Sequence, residues 1–375
     1  MSTVAIIGGG ISGLGIAAAA AKHGHQVILL ERDRCGAGTS ANSLRIIHGG
    51  FRYLQSLNLI RVVHSIRAQA ELLAAYPDLI VALPCMLPLS ERGLHSYSSL
   101  RVAGALYRAT QHLASGRAAP VGVFTPAQVT VAAPEFAPHM PHGALHWTDG
   151  LLLDPAELVQ REIARATTQG ARIREGCCVT AVERVGVQWR VNYLTDDGAE
   201  SAEADFVVNA AGPWINYKIT KNFVELPDFA GMQWCLAFNV VVRRSLSSKW
   251  ALGLRSRQGR LFFAVPRKLP DGQMGTAIGT GYLALEDGQS TPEVPSHELA
   301  AFIAQFNSVH AEASLVEGEL VAVESGFLPI RRMTEKGPIL FGAQRIRQKR
   351  GYIEVLSTKY TTYRNQADRV VSYIF

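Results

Sequence analysis

Residues 4–13 read VAIIGGGISG, residues 11–22 read ISGLGIAAAAAK, and residues 26–30 read QVILL. The first four residues form an apolar run typical of a buried strand, the second segment is rich in small residues that suit a helix, and the third is apolar again. Strand, glycine-rich turn, helix and strand follow one another within about 30 residues, as in a βαβ unit. We therefore predict an α/β fold, α+β overall, that opens with a Rossmann-like dinucleotide-binding domain.

The turn of this unit has the spacing G-x-G-x-x-G at Gly8, Gly10 and Gly13. Positions without a side chain allow a pyrophosphate to approach backbone N–H groups at a helix N-terminus. Glu31 ends the second strand, where a carboxylate accepts both ribose hydroxyls and disfavours the 2′-phosphate of NADP, although the adjacent Arg32 leaves NADP open. The pattern predicts a dinucleotide site and does not by itself choose between FAD and NAD. The predicted contacts here are Gly8, Gly10, Ile11, Ser12, Gly13, Glu31 and Arg32.

Composition bounds the class of protein. The chain has 375 residues, of which 48% are hydrophobic and 18% charged, a balance that excludes a disordered chain. Its length suggests two domains or one large interleaved fold. Five cysteines without a C-x-x-C pair argue against a disulfide framework or a zinc site, so we expect no metal and a reducing, cytoplasmic location. No stretch is predicted to form a transmembrane helix.

The net charge of +6 is concentrated in one segment. Residues 331–350 carry seven Lys or Arg and one acid, so the rest of the chain is balanced. This segment could steer an anionic substrate, or contact a partner or anionic lipid. Nucleic-acid binding has no supporting motif.

Periodicity predicts further elements. Residues 57–75 are expected to form a helix, and Asp154 is expected to cap another that runs to about residue 168. Short strands are expected at 171–174, 179–184, 189–194 and 205–209. Residues 81–141 are rich in Pro and Gly and are expected to be less regular, and Ser296 is expected to cap a helix that ends at Asn307.

Three longer motifs resemble one family. Residues 39–54 read TSANSLRIIHGGFRYL, residues 208–214 read VNAAGPW, and residues 359–364 read KYTTYR. These are similar to T-S-x-x-S-x-x-I-H-G-G-x-R-Y-L, N-A-x-G-P-W and K-x-T-T-Y-R of the FAD-dependent glycerol-3-phosphate dehydrogenases. The resemblance implies the fold of D-amino-acid oxidase-like flavoproteins, with a discontinuous FAD-binding domain and a second, mixed-sheet substrate or cap domain. It divides the chain into residues 1–80, 145–225 and 322–375 for the first domain and 81–144 and 226–321 for the second.

The resemblance also implies a cofactor and a reaction. FAD would be bound non-covalently, because Ala41 and Asn42 stand where some amine-oxidising relatives carry a linking histidine. A hydride would pass from a substrate C–H bond to flavin N5. The further flavin contacts that it implies are Thr39, Ser40, Arg45, Ile47, His48, Gly49, Val179, Ala211, Gly212, Trp214, Gly326, Leu328, Lys359, Tyr360, Thr361 and Thr362.

Candidate substrate and catalytic residues follow from the same motifs. Arg52 and Tyr53 are expected to bind an anionic group, because a guanidinium fork suits phosphate or carboxylate. Lys359 is expected to contact the substrate or the flavin. His48 is the candidate general base, since imidazole titrates near neutrality; the alternative is a structural histidine bonded to backbone. No catalytic pair of acids is recognisable from spacing.

The chain departs from the family at the substrate. Leu328 stands where these dehydrogenases usually have an arginine, and Arg331, just beyond it, could compensate. Tyr282 replaces a polar position and adds aromatic surface to the expected pocket. These departures put glycerol 3-phosphate in doubt as the substrate. The leading hypothesis is a small anionic alcohol, with glycerol 3-phosphate as the nearest precedent, and the alternative is an amino acid, a secondary amine or a 2-hydroxy acid. A flavin-binding electron-transfer subunit is the non-enzyme alternative. The electron acceptor, whether quinone, oxygen or protein, stays open, and any membrane contact is expected to be peripheral.

Overall fold

The computed structural model describes residues 1–51, 58–90, 97–116, 119–215, 233–256, 260–285, 291–309, 314–334, 337–341 and 344–374. The helices are α1 (Ile11–Lys22), α2 (Leu59–Ala75), α3 (Tyr97–Ser115), α4 (Pro126–Ala132), α5 (Pro155–Thr168), α6 (Ser296–Asn307) and α7 (Tyr363–Val371). The strands of the first half are β1 (Thr3–Ile7), β2 (Gln26–Leu30), β3 (Ile46–Ile47), β4 (Ile80–Pro88), β5 (Gly122–Phe124), β6 (Ala144–Leu152), β7 (Arg172–Arg174), β8 (Cys178–Val185) and β9 (Gln188–Thr195). Those of the second half are β10 (Gly198–Ala204), β11 (Phe206–Asn209), β12 (Gln233–Val242), β13 (Ala251–Arg255), β14 (Leu261–Lys268), β15 (Met274–Ala284), β16 (Leu320–Thr334), β17 (Gly337–Leu340), β18 (Arg345–Lys349) and β19 (Tyr352–Leu356).

The first sheet confirms the predicted Rossmann-like architecture. Its strand order is β18-β19-β11-β1-β2-β7, and all neighbours are parallel except the β18–β19 hairpin. Helices α1, α5 and α7 cover one face, where the fully buried alanines of α1 allow close packing. The antiparallel sheet β8–β9–β10 covers the other face through Val182, Trp189 and Tyr193. Because β1 lies between β2 and β11, their carboxyl ends open one crevice at the edge of the sheet, the usual ligand position in such folds.

The second sheet is mixed and larger. Its order is β17-β16-β12-β15-β14-β13-β4-β6-β3, with β5 paired to β6, and only the β13–β4 pair is parallel. One face packs against α6, where Phe302 lies between Phe238 and Phe262. The other face packs against α2 and α3 through Val62, Ile66 and Tyr107. The fold is therefore α/β with two large sheets and one small antiparallel sheet, as expected for a D-amino-acid oxidase-like chain.

Several expectations need correction. Residues 81–141 hold most of β4 and the long helix α3, neither of which was predicted. The buried residues of α3 nevertheless follow one another at intervals of three or four, as expected for a helix. The N-cap of α6 is Pro295, not Ser296, which is the first helical residue. The division into two domains stays a prediction, and strand pairing assigns β6 and the hairpin β16–β17 to the larger sheet.

Candidate active site

The glycine-rich turn holds α1 close to the carboxyl ends of β1 and β11. Gly8 has a φ of +101°, and a Cβ there would lie 2.8 Å from the carbonyl oxygen of Ala210. A Cβ on Gly13 would overlap the carbonyl oxygen of Gly8. The backbone N–H groups in the first turn of α1, which starts at Ile11, have no acceptor within the helix, and they carry the positive end of its dipole. The turn is a cradle suited to a pyrophosphate.

Polar side chains flank this cradle. The Ile11 N–H donates to Ser40 Oγ at 3.1 Å, so residue 40 lies at the helix N-terminus with Gly10. The Glu31 carboxylate accepts from the Gly9 N–H at 2.6 Å and from the Asp33 N–H at 3.0 Å. Each carboxylate oxygen has a second lone-pair site, which leaves acceptor capacity for ribose hydroxyls. Ser12 is buried on the same helix, and its hydroxyl faces Gln366 of α7.

The segment after β11 forms the far side of the crevice. Ala211 and Val179 pack on the same apolar cluster, which includes the end of β1. Gly212 begins a single 3-10 turn that contains Trp214. The Trp214 ring lies 5.5 Å from the Arg32 guanidinium carbon and near residue 38, where a Cβ would be 3.3 Å away. Val179, Ala211, Gly212, Trp214 and Arg32 are thus brought to one edge of the first sheet.

The seam between the two sheets collects the remaining motif residues. A Cβ at Gly326 of β16 would lie 3.2 Å from the Thr39 side chain, so this strand passes directly over residue 39. The His48 N–H donates to Thr361 Oγ1 at 3.1 Å, which joins the K-x-T-T-Y-R segment to the end of β3. Tyr360 packs beside Ile11 and Ile47, with Lys359 half-buried before it and Thr362 capping α7. Leu328 shares the face of Gly326, two residues along the strand.

Some of the buried polar atoms that lack a hydrogen-bond partner in the described residues lie at this seam. They include Thr39 Oγ1, Arg45 Nε, Thr358 Oγ1 and the Tyr360 hydroxyl. Leaving one such group unpaired costs about 1–3 kcal/mol, so a polar ligand in the seam would stabilise the arrangement. The terminal guanidinium nitrogens of Arg45 are used otherwise, in bonds to the Leu153 carbonyl at 2.9 Å and to Glu324 at 3.2 Å. Glycine cradle, acid and unpaired seam atoms fit a bound FAD.

A histidine and a buried acid meet at the end of β3. His48 Nδ1 lies 3.0 Å from Asp149 Oδ2, and the His48 side chain is 52% exposed whereas that of Asp149 is 4% exposed. Burial alone would raise the pKa of Asp149, but the hydrogen bond and charge of His48 hold it below its ordinary value, together with the Gly49 and Trp147 donors. The carboxylate is therefore ionised. Sequence reasoning missed Asp149, because only the pairing of β6 with β3 brings it beside His48. The one indication in the sequence was an acidic residue in the middle of an otherwise largely apolar segment.

The candidate substrate-binding residues do not all lie together in the described part of the chain. Arg52 and Tyr53 lie outside the described residues. Tyr282 and Gly326 both pair with Ala237, which puts all three on one face of the larger sheet. Arg331 is exposed, and its guanidinium lies 5.8 Å from the Phe341 ring, so its compensating role stays a prediction.

No group of three or more His, Cys, Asp and Glu side chains in the described ranges could hold a metal ion. None of the helices in those ranges is long and apolar enough to cross a bilayer.

Comparisons with known proteins agree with this geometry. Residues 3–355 match the family described as FAD dependent oxidoreductase. Glycerol-3-phosphate dehydrogenase of Pseudomonas tolaasii is 26% identical over 386 residues, which cover 98% of this chain and 70% of that protein. Among solved structures, glycerol-3-phosphate dehydrogenase from Bacillus halodurans complexed with FAD has a TM-score of 0.74 at 21% identity, covering 100% of this chain and 64% of that one. Glycine oxidase from Geobacillus kaustophilus has a TM-score of 0.69 at 18% identity, covering 100% of this chain and 94% of that one.

The structural likenesses show the fold, and the family match spans most of the sequence. Together they confirm the resemblance and its cofactor, FAD. The chain belongs to the family of FAD-dependent oxidoreductases.

Proposed function

We propose that this protein is a dehydrogenase or oxidase that takes a hydride from a small anionic alcohol, with glycerol 3-phosphate as the leading candidate. The observation that carries the proposal is the half-exposed imidazole of His48 at the seam where the glycine cradle, residue 39 and the K-x-T-T-Y-R segment meet. The similarity to the Pseudomonas tolaasii dehydrogenase supports the substrate class. The chain spans 70% of that relative and 64% of the chain in the Bacillus halodurans structure. Because it matches only part of each, the identity of the substrate is a proposal.

FAD is held, in this proposal, by the motif residues already described. The amides that follow Gly10 would bind the pyrophosphate, Glu31 the ribose hydroxyls, and Val179 the adenine. Thr39, Gly326 and residues 359–362 would close over the flavin ring, with a polar ligand satisfying the unpaired seam atoms. When bound, the flavin supplies the acceptor for a hydride at N5.

His48 handles the proton. Its Nδ1 faces Asp149, so Nε2 is the ring atom left to accept the proton of a substrate hydroxyl. A base positioned to accept this proton assists the departure of the hydride from the adjacent C–H bond. The alternative is a structural histidine whose ring is hydrogen-bonded to backbone, whereas the Nδ1 atom of His48 contacts the Asp149 carboxylate.

The anionic group of the substrate is assigned to Arg52, Tyr53 and Lys359 on the family resemblance. Leu328 stands at the position where these dehydrogenases usually carry an arginine. One cation fewer favours a substrate with less negative charge than a phosphate ester, which makes a 2-hydroxy acid or an amino acid the second candidate.

Anaerobic bleaching of the flavin absorbance tests the proposal directly. The purified holoprotein is mixed in parallel with glycerol 3-phosphate, 2-hydroxy acids and amino acids. Rapid bleaching by glycerol 3-phosphate is the expected result, and bleaching by an amine alone would contradict it. If dithionite reduces the flavin but no organic substrate does, the protein is an electron-transfer subunit. Reoxidation by oxygen or by a quinone then identifies the electron acceptor.

We further propose a cytoplasmic location with peripheral contact to an anionic lipid surface or partner through residues 331–350. The support is the charge of that segment, which accounts for the excess of the whole chain.

A further inference from the structure

We propose that Asp149 is a positioning residue that fixes the tautomer and orientation of His48. The inference rests on the proposed function of His48 as a base, and it adds a residue that no sequence motif indicated. Asp149 does not touch substrate in this proposal; it acts through the imidazole.

The hydrogen bonds of Asp149 define the tautomer. Oδ2 faces His48 Nδ1 at 3.0 Å and accepts from Trp147 Nε1 at 3.1 Å. Oδ1 accepts from the Gly49 N–H at 2.7 Å and from Gln69 Nε2 at 3.3 Å. An ionised carboxylate has no proton to donate, so the hydrogen on this contact belongs to Nδ1. In the neutral ring Nε2 therefore carries the free lone pair.

Among the titratable side chains around His48 in the described elements, Asp149 carries the negative charge. The titratable side chains that face it from the neighbouring described elements are His48, Cys85 of β4 and Tyr107 of α3. Burial raises the pKa of the Cys85 thiol and of the Tyr107 hydroxyl, so neither carries charge near neutrality. A positive charge that develops on the imidazole when it takes a proton is thus stabilised by one buried negative charge.

The backbone around the pair is fixed independently. Ile47 of β3 pairs with Gly150 of the antiparallel strand β6, so His48, which follows Ile47, lies beside Asp149, which precedes Gly150. Gln69 of α2 donates to the Ile47 carbonyl at 2.7 Å as well as to Asp149. Three elements therefore hold the imidazole in one orientation, which is what a positioned base requires.

The kinetic test compares Asp149→Asn with the same change in a His48→Ala background. In the holoenzyme, Asp149→Asn should lower the rate of flavin reduction at least about 100-fold, within the range for one general base, with KM changed less than about threefold and FAD retained. In the His48→Ala background the same change should cost less than about threefold, since the group through which it acts is gone. Equal losses in both backgrounds, or a change confined to KM, would overturn the proposal.

A matched control is Asp205→Asn. Its carboxylate accepts from the Thr3 N–H at 2.8 Å and from Gln188 Nε2 at 3.0 Å, at the amino ends of β1 and β11, away from the crevice. The change removes a carboxylate that accepts three hydrogen bonds but contacts no histidine in the described residues, and flavin reduction should stay within about threefold of the wild type. A loss as large as that of Asp149→Asn would show that both variants act through stability.

A second measurement needs neither substrate nor a substituted carboxylate. In ¹⁵N-histidine-labelled holoprotein, the imidazole signal that disappears in the His48→Ala variant belongs to His48. At a pH where this ring is neutral, the signal should show the hydrogen on Nδ1. A neutral ring protonated on Nε2 would overturn the role of Asp149. Failure of every substrate to bleach the flavin would instead overturn the proposed function and leave this signature in place.

Discussion

At the scale of single residues, the approach of α1 to the end of β1 depends on the missing side chain at residue 13. Because a methyl group there would overlap the Gly8 carbonyl, Gly13→Ala should displace the helix from the turn, at a cost of about 1–3 kcal/mol for overpacking. The ratio of flavin to protein absorbance and the Tm should both fall. The control is Gly318→Ala, where an added methyl group has nothing within 4 Å. Full retention of flavin in Gly13→Ala would show that the turn does not hold the pyrophosphate.

Recognition of the substrate anion is also a question of one residue. Arg52→Ala should raise KM about 10–150-fold, the equivalent of roughly 1.5–3 kcal/mol for a hydrogen bond to a charged group. Flavin should remain bound, because the guanidinium is assigned to substrate and not to FAD. Steady-state kinetics and the flavin spectrum give the two readouts, with Arg190→Ala, a surface residue paired with Glu203 at 3.0 Å, as control. Loss of flavin from Arg52→Ala would mean that the residue serves the cofactor.

At the scale of elements, one buried acid joins three helices through the last two residues of the K-x-T-T-Y-R motif. Glu162 of α5 is fully buried and accepts from the Tyr363 hydroxyl at 2.8 Å and from Arg364 at 2.9 Å, both at the start of α7. It also bonds Arg165 at 2.5 Å and Tyr76, which follows α2. The segment that closes over the flavin is therefore anchored at its carboxyl end by a charge network and not by apolar packing alone.

Glu162→Gln should destabilise the protein by about 3 kcal/mol, because two arginines lose their buried counter-charge. Burial alone would raise the pKa of Glu162, but Arg165, Tyr76 and Arg364 hold it below the ordinary glutamate value. A carboxyl group whose pKa is lowered by folding stabilises the fold at pH values above its unfolded pKa, about 4.3, and this contribution is lost as the pH falls through the folded pKa. Urea unfolding should thus show the largest difference from wild type near pH 7 and a shrinking one below about pH 4.

The exposed Glu203→Gln change is the control for that series, since a surface pair contributes at most about 1 kcal/mol. A difference between Glu162→Gln and wild type that is independent of pH would show that Glu162 is already protonated in the fold.

The same scale shows what the sequence could and could not predict. β1, α1 and β2 were predicted to within one residue, because local periodicity and the glycine turn define them. β10 was missed since GAESAEA has no apolar alternation; the strand exists because it pairs with β9. Motifs likewise predicted His48, Thr39 and Thr361 separately, whereas the contact of His48 with Asp149 depends on the pairing of β3 with β6, which no local pattern contains.

At the scale of the whole molecule, the candidate site is made of contacts between segments far apart in the chain. Thr39 meets Gly326 of β16, and His48 meets Thr361 of the C-terminal segment. Arg45, which precedes β3, meets Glu324 of β16, so this contact joins the two ends of the larger sheet. Arg267 adds to the pair of Arg45 and Glu324 from β14 and is itself buried. FAD in this seam would touch both sheets, so cofactor binding and the stability of the whole fold are coupled.

Removal of FAD should therefore destabilise the protein as a unit and not merely abolish its colour. A ligand that binds only the folded state stabilises it by about 2.7 kcal/mol at a free concentration of 100 Kd, and unpaired seam atoms such as Thr39 Oγ1 and the Tyr360 hydroxyl add to the cost of the empty seam. The Tm of the FAD-stripped protein should fall by several degrees and rise again with added FAD, in step with its concentration. In Gly13→Ala the rise should require much more FAD, because the pyrophosphate cradle is displaced. A Tm that is the same with and without FAD would mean that FAD does not bind preferentially to the folded chain, and would contradict the prediction.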